Sequence, residues 1–196
     1  MNKFIHESWL ILLMGATFAV LLAGAQTSLS GRIKENQEKA LNEAIGAVVS
    51  GTVTTERVKI NGYDRDVFKC LDTNGKMTGW AIEGVGMGFA DKIRLVIGLG
   101  PDAATISGLK VIDNIETPGL GNKIADEGPD TFAEQFPGLR AVAEIAVVKG
   151  KPDEAGNEIQ AITGATISSD AVAKIVNEAL GKVRAELART GAATGK

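Results

Sequence analysis

Hydrophobic and polar positions along this chain fall into three regimes. From Ser8 to Gly31 the stretch "SWLILLMGATFAVLLAGAQTSLSG" holds no charged residue over about 24 positions, more than the roughly 20 apolar residues a bilayer-spanning helix needs. Trp9, at its start, has the amphipathic ring that favours a membrane interface. From Arg32 to Val49 the apolar residues Ile33, Ala40, Leu41, Ala44, Ile45 and Val48 recur close to helical spacing opposite a charged face, which predicts a connecting helix. Beyond it the period shortens to two. "TVTTERVKI", "DVFKCLD", "MTGWAIEGVG", "KIRLVIGL" and "TISGLKVIDN" read as successive strands, with Asn74-Gly75 and Gly100-Pro101-Asp102 supplying tight turns. Short connections make such strands antiparallel neighbours. "DTFAEQF" predicts a short helix and "AEIAVVKG" a further strand. From Ser168 onward, Ala171, Val172, Ile175, Val176, Ala179, Leu180, Val183 and Leu187 lie on one helical stripe, which must pack on the sheet.

The pattern therefore predicts an α+β protein, one N-terminal transmembrane helix followed by a single domain with a mainly antiparallel sheet packed by helices. The expected divisions are an anchor over 1–31, a connecting helix over 32–50, the domain over 51–189 and a solvated tail over 190–196. A cleaved signal peptide is the alternative for the first segment, since Ala23 to Ala25 offer small residues for cleavage. The apolar run leads straight into a helical pattern, which favours a retained anchor over a secreted protein beginning after Ala25. Lys3 opposes Arg32, Lys34 and Lys39 across the span, so positive charges do not decide its orientation.

Composition changes the picture mainly by exclusion. The 196-residue chain carries a net charge of -3 with its cations dispersed, so it lacks the basic surface that nucleic acid requires. There is one histidine, His6, and one cysteine, Cys70. No Ser-His-Asp or Cys-His arrangement, zinc cluster or iron-sulfur ligand set can be built from one of each, and no metal is expected. Cys70, in an alternating apolar stretch, reads as a small buried hydrophobe. Any redox chemistry must be carried by an organic cofactor.

Two loops depart from this background. In "ITGATISSDAV" (Ile162 to Val172), hydroxyls at Thr163, Thr166, Ser168 and Ser169 crowd a Gly-Ala pair just before the last helix. One side-chain oxygen is enough to cap a helix, so Thr166 is either a cap or part of an anion site at the helix N-terminus. In "IETPGLGNKI" (Ile115 to Ile124), Pro118, Gly119 and Gly121 break regular structure. Glycine there permits close backbone approach to a flat ligand, or simply a turn.

Together these loops give the chain a resemblance to a known family. "GVGMGFADKI" at Gly84 to Ile93, "ETPGLG" at Glu116 to Gly121 and "ITGATISS" at Ile162 to Ser169 resemble the covalent-FMN components of membrane redox pumps. These are the G subunit of the Rnf electron transport complex and, more distantly, the C subunit of the sodium-pumping NADH:quinone reductase. The likeness covers nearly the whole chain. It departs at Gln160, where the family usually has aspartate, and at Met87, where it usually has tyrosine.

The resemblance implies an electron-transfer subunit of an ion-translocating ferredoxin:NAD oxidoreductase, with FMN joined through its phosphate to Thr166. The residues it implies around the cofactor are Thr163, Gly164, Ala165, Ile167 and Ser168, with Glu116, Thr117, Gly119 and Leu120 from the second loop. It further implies other membrane subunits and a flavin transferase as partners, contact with the lipid bilayer, and a single-pass location in the cytoplasmic membrane with the domain on the outer face. A membrane-tethered assembly or binding module without covalent flavin is the alternative function.

Overall fold

The computed structural model describes residues 2–153 and 155–190. Apart from Thr190, the expected tail lies outside the described residues. The chain falls into two compact units, one ending at Ala40 and the other beginning at Leu41.

A single helix, α1 (Asn2–Val48), unites the apolar run and the amphipathic segment that follows it. No proline interrupts it. Its window of highest hydropathy averages 2.0 and is unburied by the protein, which makes it long and apolar enough to cross a membrane. Trp9, Leu12, Phe18 and Leu22 are each more than half exposed. In water, side chains of this kind would forgo about 1.5–3 kcal/mol apiece of burial. Thr17 and Thr27 donate their hydroxyls to the carbonyls of Leu13 and Ala23 at 2.8 and 2.7 Å, so neither donor needs water.

The second unit is built on five strands, β1 (Thr54–Val58), β2 (Val67–Leu71), β3 (Met77–Met87), β4 (Lys92–Leu99) and β5 (Ile106–Asn114). They lie in sequence order, each antiparallel to the next. Alternation along the strands gives the sheet two apolar faces. On one, Val67, Trp80, Ile82, Leu95 and Ile97 pack into the core shared with α2 (Thr166–Thr190). All eight stripe residues of α2 are buried. On the other face, Phe68, Cys70, Ala81 and Val96 meet Leu41, Ala44, Ile45, Val48 and Val49. The C-terminal end of α1 thus belongs to the sheet domain, and Ser107 Oγ fastens it by donating to the Val48 carbonyl at 2.6 Å.

Two features differ from the sequence expectation. The segment Asp130 to Phe136 forms only a 3-10 turn, Ala133–Gln135, because Phe132 and Phe136 are both drawn into the core, edge to face at 5.6 Å. The strand β6 shrinks to Ala146–Val148 and pairs in parallel with an unanticipated β7, Glu158–Gln160. Three residues are too few to show a period. Asn157 fixes this corner instead, accepting from Arg140 N–H at 2.8 Å and donating to the carbonyls of Arg140, Ala143 and Glu144.

Candidate functional site

The turn before α2 is shaped by one glycine and one serine. Ala165 N–H bonds the Ile162 carbonyl at 2.9 Å, and Gly164, third in this four-residue turn, has φ +84°, the value a type II turn demands there. Ser169, fully buried, accepts from Ile162 N–H at 3.0 Å and donates to the Ala165 carbonyl at 3.1 Å. It ties the loop to the helix rather than capping the free end. The residue at the cap position is Ala165, which has no side-chain acceptor. Among the described residues, no hydrogen bond is made by the N–H groups of Thr166, Ile167 and Ser168 or by the Thr166 hydroxyl. Three aligned donors are left at the positive end of a 25-residue helix, an arrangement that attracts an anion.

The second loop repeats the same turn geometry. Leu120 N–H bonds the Thr117 carbonyl at 3.1 Å, with Pro118 second and Gly119 third at φ +77°. A Cβ built on Gly119 would meet nothing within 4 Å. Glycine is needed at 119 for the backbone angle, since no neighbouring protein atom crowds the position. Gly121 is the crowded position, where a Cβ would come within 2.7 Å of Ser168 Oγ and 2.8 Å of Glu116 Oε2. Glu116 is buried, accepting from Ser168 Oγ at 2.5 Å and from Ala90 N–H at 3.1 Å.

The two turns enclose a cavity of about 470 Å³, within the range of about 300–1,000 Å³ typical of small-molecule sites. Of the residues expected from the sequence, Thr166, Gly164, Ala165, Ile167, Ser168, Thr117 and Leu120 line it. Thr163, Glu116 and Gly119 do not. Phe89 and Gly121 complete the wall; the sequence reading passed over Phe89, although it lies within the quoted "GVGMGFADKI". Phe89, Leu120 and Ile167 are 63%, 45% and 58% exposed, forming an apolar rim with no charged residue on the lining. Ser168 spends its hydroxyl proton on Glu116, so the donors for an anion are backbone groups. Gln160 has both backbone groups held by the Gln135 amide, at 2.6 and 3.2 Å, while the residue itself is exposed.

Known proteins share the fold and the segment that carries this cavity. Residues 88–181 match the FMN-binding domain family, a span that contains both turns and the whole cavity lining. The chain is 31% identical over 182 residues to the G subunit of the ion-translocating oxidoreductase complex of Methanosarcina acetivorans, covering 90% of this chain and 92% of that one. It is 41% identical over 106 residues to the G subunit of the Na(+)-translocating ferredoxin:NAD(+) oxidoreductase complex of Acetobacterium woodii. That second match covers 54% of this chain and about half, 49%, of the relative's length. The crystal structure of Shewanella oneidensis NqrC has the same fold, with a TM-score of 0.54 at 24% identity over 67% of this chain and 66% of that one. The near full-length agreement with the Methanosarcina protein, together with the FMN-binding match over the cavity, makes this chain a member of the G-subunit family of ion-translocating oxidoreductase complexes.

Proposed function

We propose that the protein carries FMN on Thr166 through a phosphoester bond and serves as a membrane-anchored electron carrier in an ion-translocating ferredoxin:NAD oxidoreductase of the Rnf type. The observation that supports this most directly is the Thr166 side chain. Its hydroxyl lies on the cavity wall without a hydrogen-bond partner among the described residues, beside three unpaired N–H groups. Forming the ester replaces the Oγ1–H bond by an Oγ1–P bond while the P–O bond to the leaving group of the donor flavin nucleotide breaks and that group carries away the proton; the remaining phosphate charge would face the unpaired N–H donors. The bound FMN supplies a carrier able to take up and pass on electrons.

The chain's own residues do the rest. Leu120, Phe89 and Ile167 offer apolar surface for a flat ring and keep water from its faces. Thr117 and the Gly164 turn complete the lining, the latter packed so near the second loop that a Cβ at 164 would sit 3.2 Å from Leu120 Cδ2. The exposed span in α1 supports a membrane anchor; the likeness to the G subunits extends this reading to a single-pass location in the cytoplasmic membrane, with the domain on the outer face and other membrane subunits as neighbours. A flavin transferase is the partner that installs the group.

The test is direct. Protein made in cells with a working flavin transferase is run on a denaturing gel and viewed under ultraviolet light. Flavin fluorescence that survives denaturation supports the reading. A dark band from such cells contradicts it and favours an assembly module without covalent flavin. Protease added to spheroplasts checks sidedness: digestion of the domain supports the outer face, and protection until lysis reverses it.

A further inference from the structure

The cavity wall is contributed by three stretches of chain that are far apart in sequence: Phe89, the Thr117 to Gly121 turn, and Gly164 to Ser168. One side chain links them: Glu116, the residue immediately before the second stretch, hydrogen-bonds to the turn that carries the first and to the third. Its Oε1 accepts from Ala90 N–H at 3.1 Å, in the tight turn closed by Gly88 N–H on the Asp91 carbonyl at 2.8 Å, which presents Phe89. Its Oε2 accepts from Ser168 Oγ at 2.5 Å, in the first turn of α2. A Cβ at Gly88 would collide with Oε1, so this turn has no room for a larger residue beside the carboxylate. Glu116 is 4% exposed and Ser168 3%, and among the described residues no lysine or arginine forms an ion pair with Glu116.

A buried carboxylate is costly unless hydrogen bonds compensate it.

Resting on the reading of Thr166 as the attachment site, we propose that Glu116 is a positioning residue for the cofactor, joining the three walls and setting the polarity of the one formed by Ser168. Because both carboxylate oxygens act as acceptors, the Ser168 proton is turned away from the cavity and only its lone pairs face inward. A negative charge stands directly behind that wall. Such a charge disfavours added electron density on a bound ring and holds its midpoint potential low.

Two substitutions separate the geometric role from the electrostatic one. Glu116→Gln keeps the shape: its carbonyl still accepts from Ala90, its amide donates to Ser168 Oγ, and the Ser168 proton is released into the cavity. The charge is gone. Glu116→Ala loses both bonds. Each full-length variant is produced with flavin transferase, and only protein whose mass shows FMN on the Thr166 peptide is compared.

The expected result is a raised midpoint potential and a shifted flavin absorbance for Glu116→Gln, with ring anisotropy as in the wild type. Glu116→Ala should share the raised potential and also lose anisotropy, its spectrum approaching that of free FMN. If the alanine variant does not fold, the potential of the glutamine variant alone decides the matter. FMN-bearing Glu116→Gln with wild-type absorbance and potential overturns the role of Glu116 and leaves the attachment reading intact. Wild-type protein with no FMN on Thr166 overturns the attachment reading instead.

Discussion

Two among the cavities of the sheet domain, similar in size, differ in almost everything else. The one at Thr166, about 470 Å³, has a neutral, mostly apolar lining and a helix end whose first N–H groups are unpaired. The other, about 370 Å³, runs beside β5 under the 124–137 segment and is lined by Lys110, Asp126, Glu127 and Glu134. There Lys110 Nζ reaches Glu127 Oε1 at 2.6 Å, so cation and anion already satisfy each other. Volume alone does not distinguish a binding site. What sets the first cavity apart is unspent hydrogen-bonding capacity beside an apolar wall, and what marks the second is that the one cation on its lining, Lys110, is already paired while the lining as a whole is acidic.

The sharpest way to break this contrast is to remove the Thr166 hydroxyl, which among the described residues has no hydrogen-bond partner and stands beside the unpaired N–H groups of the helix start. Thr166→Ala should abolish covalent flavin completely, whereas Thr166→Ser should retain part of it, because the oxygen nucleophile survives. Gel fluorescence reads both. Fluorescence persisting in the alanine variant would place the attachment elsewhere.

Next in size is Ser169, which holds the turn without touching the cavity. Ser169→Ala strands the half-buried Ile162 N–H, and an unsatisfied buried group costs about 1–3 kcal/mol as an upper range for this position. Urea unfolding of the detergent-solubilised chain should show a loss of that order, with reduced flavin incorporation. Unchanged stability would mean that the turn is held by Gly164 alone.

A third expectation concerns the sheet away from both cavities. Tyr63 donates its hydroxyl to the Glu83 carbonyl at 2.5 Å. Burial first, and then the charges of Glu83 and Asp64, push its phenol above the ordinary value of 10.0. The folded state therefore holds this proton more tightly than the unfolded state does. The resulting stabilisation is complete below pH 10 and is lost as pH rises from there toward the folded value. Thermal melts at increasing alkalinity should show that decline, and Tyr63→Phe should flatten it. Identical slopes for the two proteins would remove Tyr63 from the account.

The smallest effect belongs to the second cavity. Lys110 and Glu127 are 31% and 73% exposed at their side chains, and an ion pair so open to water contributes about 0–1 kcal/mol. Lys110→Ala should therefore cost less than about 1 kcal/mol and leave flavin content unaltered. A loss of flavin in this variant would blur the distinction between the two cavities.

Much of this was legible in the sequence, for physical reasons that can be traced to particular residues. The stripe from Ala171 to Leu187 and the alternation in β2 to β5 span enough positions to reveal their period, and the uncharged run in α1 is longer than any core helix needs. Thr166 stood out because a helix start carried more hydroxyls than capping requires. Contacts across long separations were not legible. The Glu116 to Ser168 bond joins residues 52 positions apart, and nothing in "ETPGLG" announces that its first residue faces inward. The same holds for Phe89, exposed on a turn and assigned to the cavity only by its neighbours in space. Gly119 and Gly121 looked equivalent in the sequence, yet one serves a backbone angle and the other a close approach. The strand at β6 was legible, but β7 and its parallel pairing with β6 were not, because the three residues Glu158–Gln160 carry no periodic signal.

The central claim is that the free hydroxyl of Thr166 is the point of attachment for FMN. Tryptic digestion of the full-length protein from cells with flavin transferase, followed by mass spectrometry of the fragment from Gly150 to Lys174, which contains Thr166, tests this at the residue itself. The account predicts a fragment heavier than its amino-acid sequence by FMN less one water, with fragmentation placing the added mass on Thr166. An unmodified fragment, or the added mass on Thr163, Ser168 or Ser169, would contradict it.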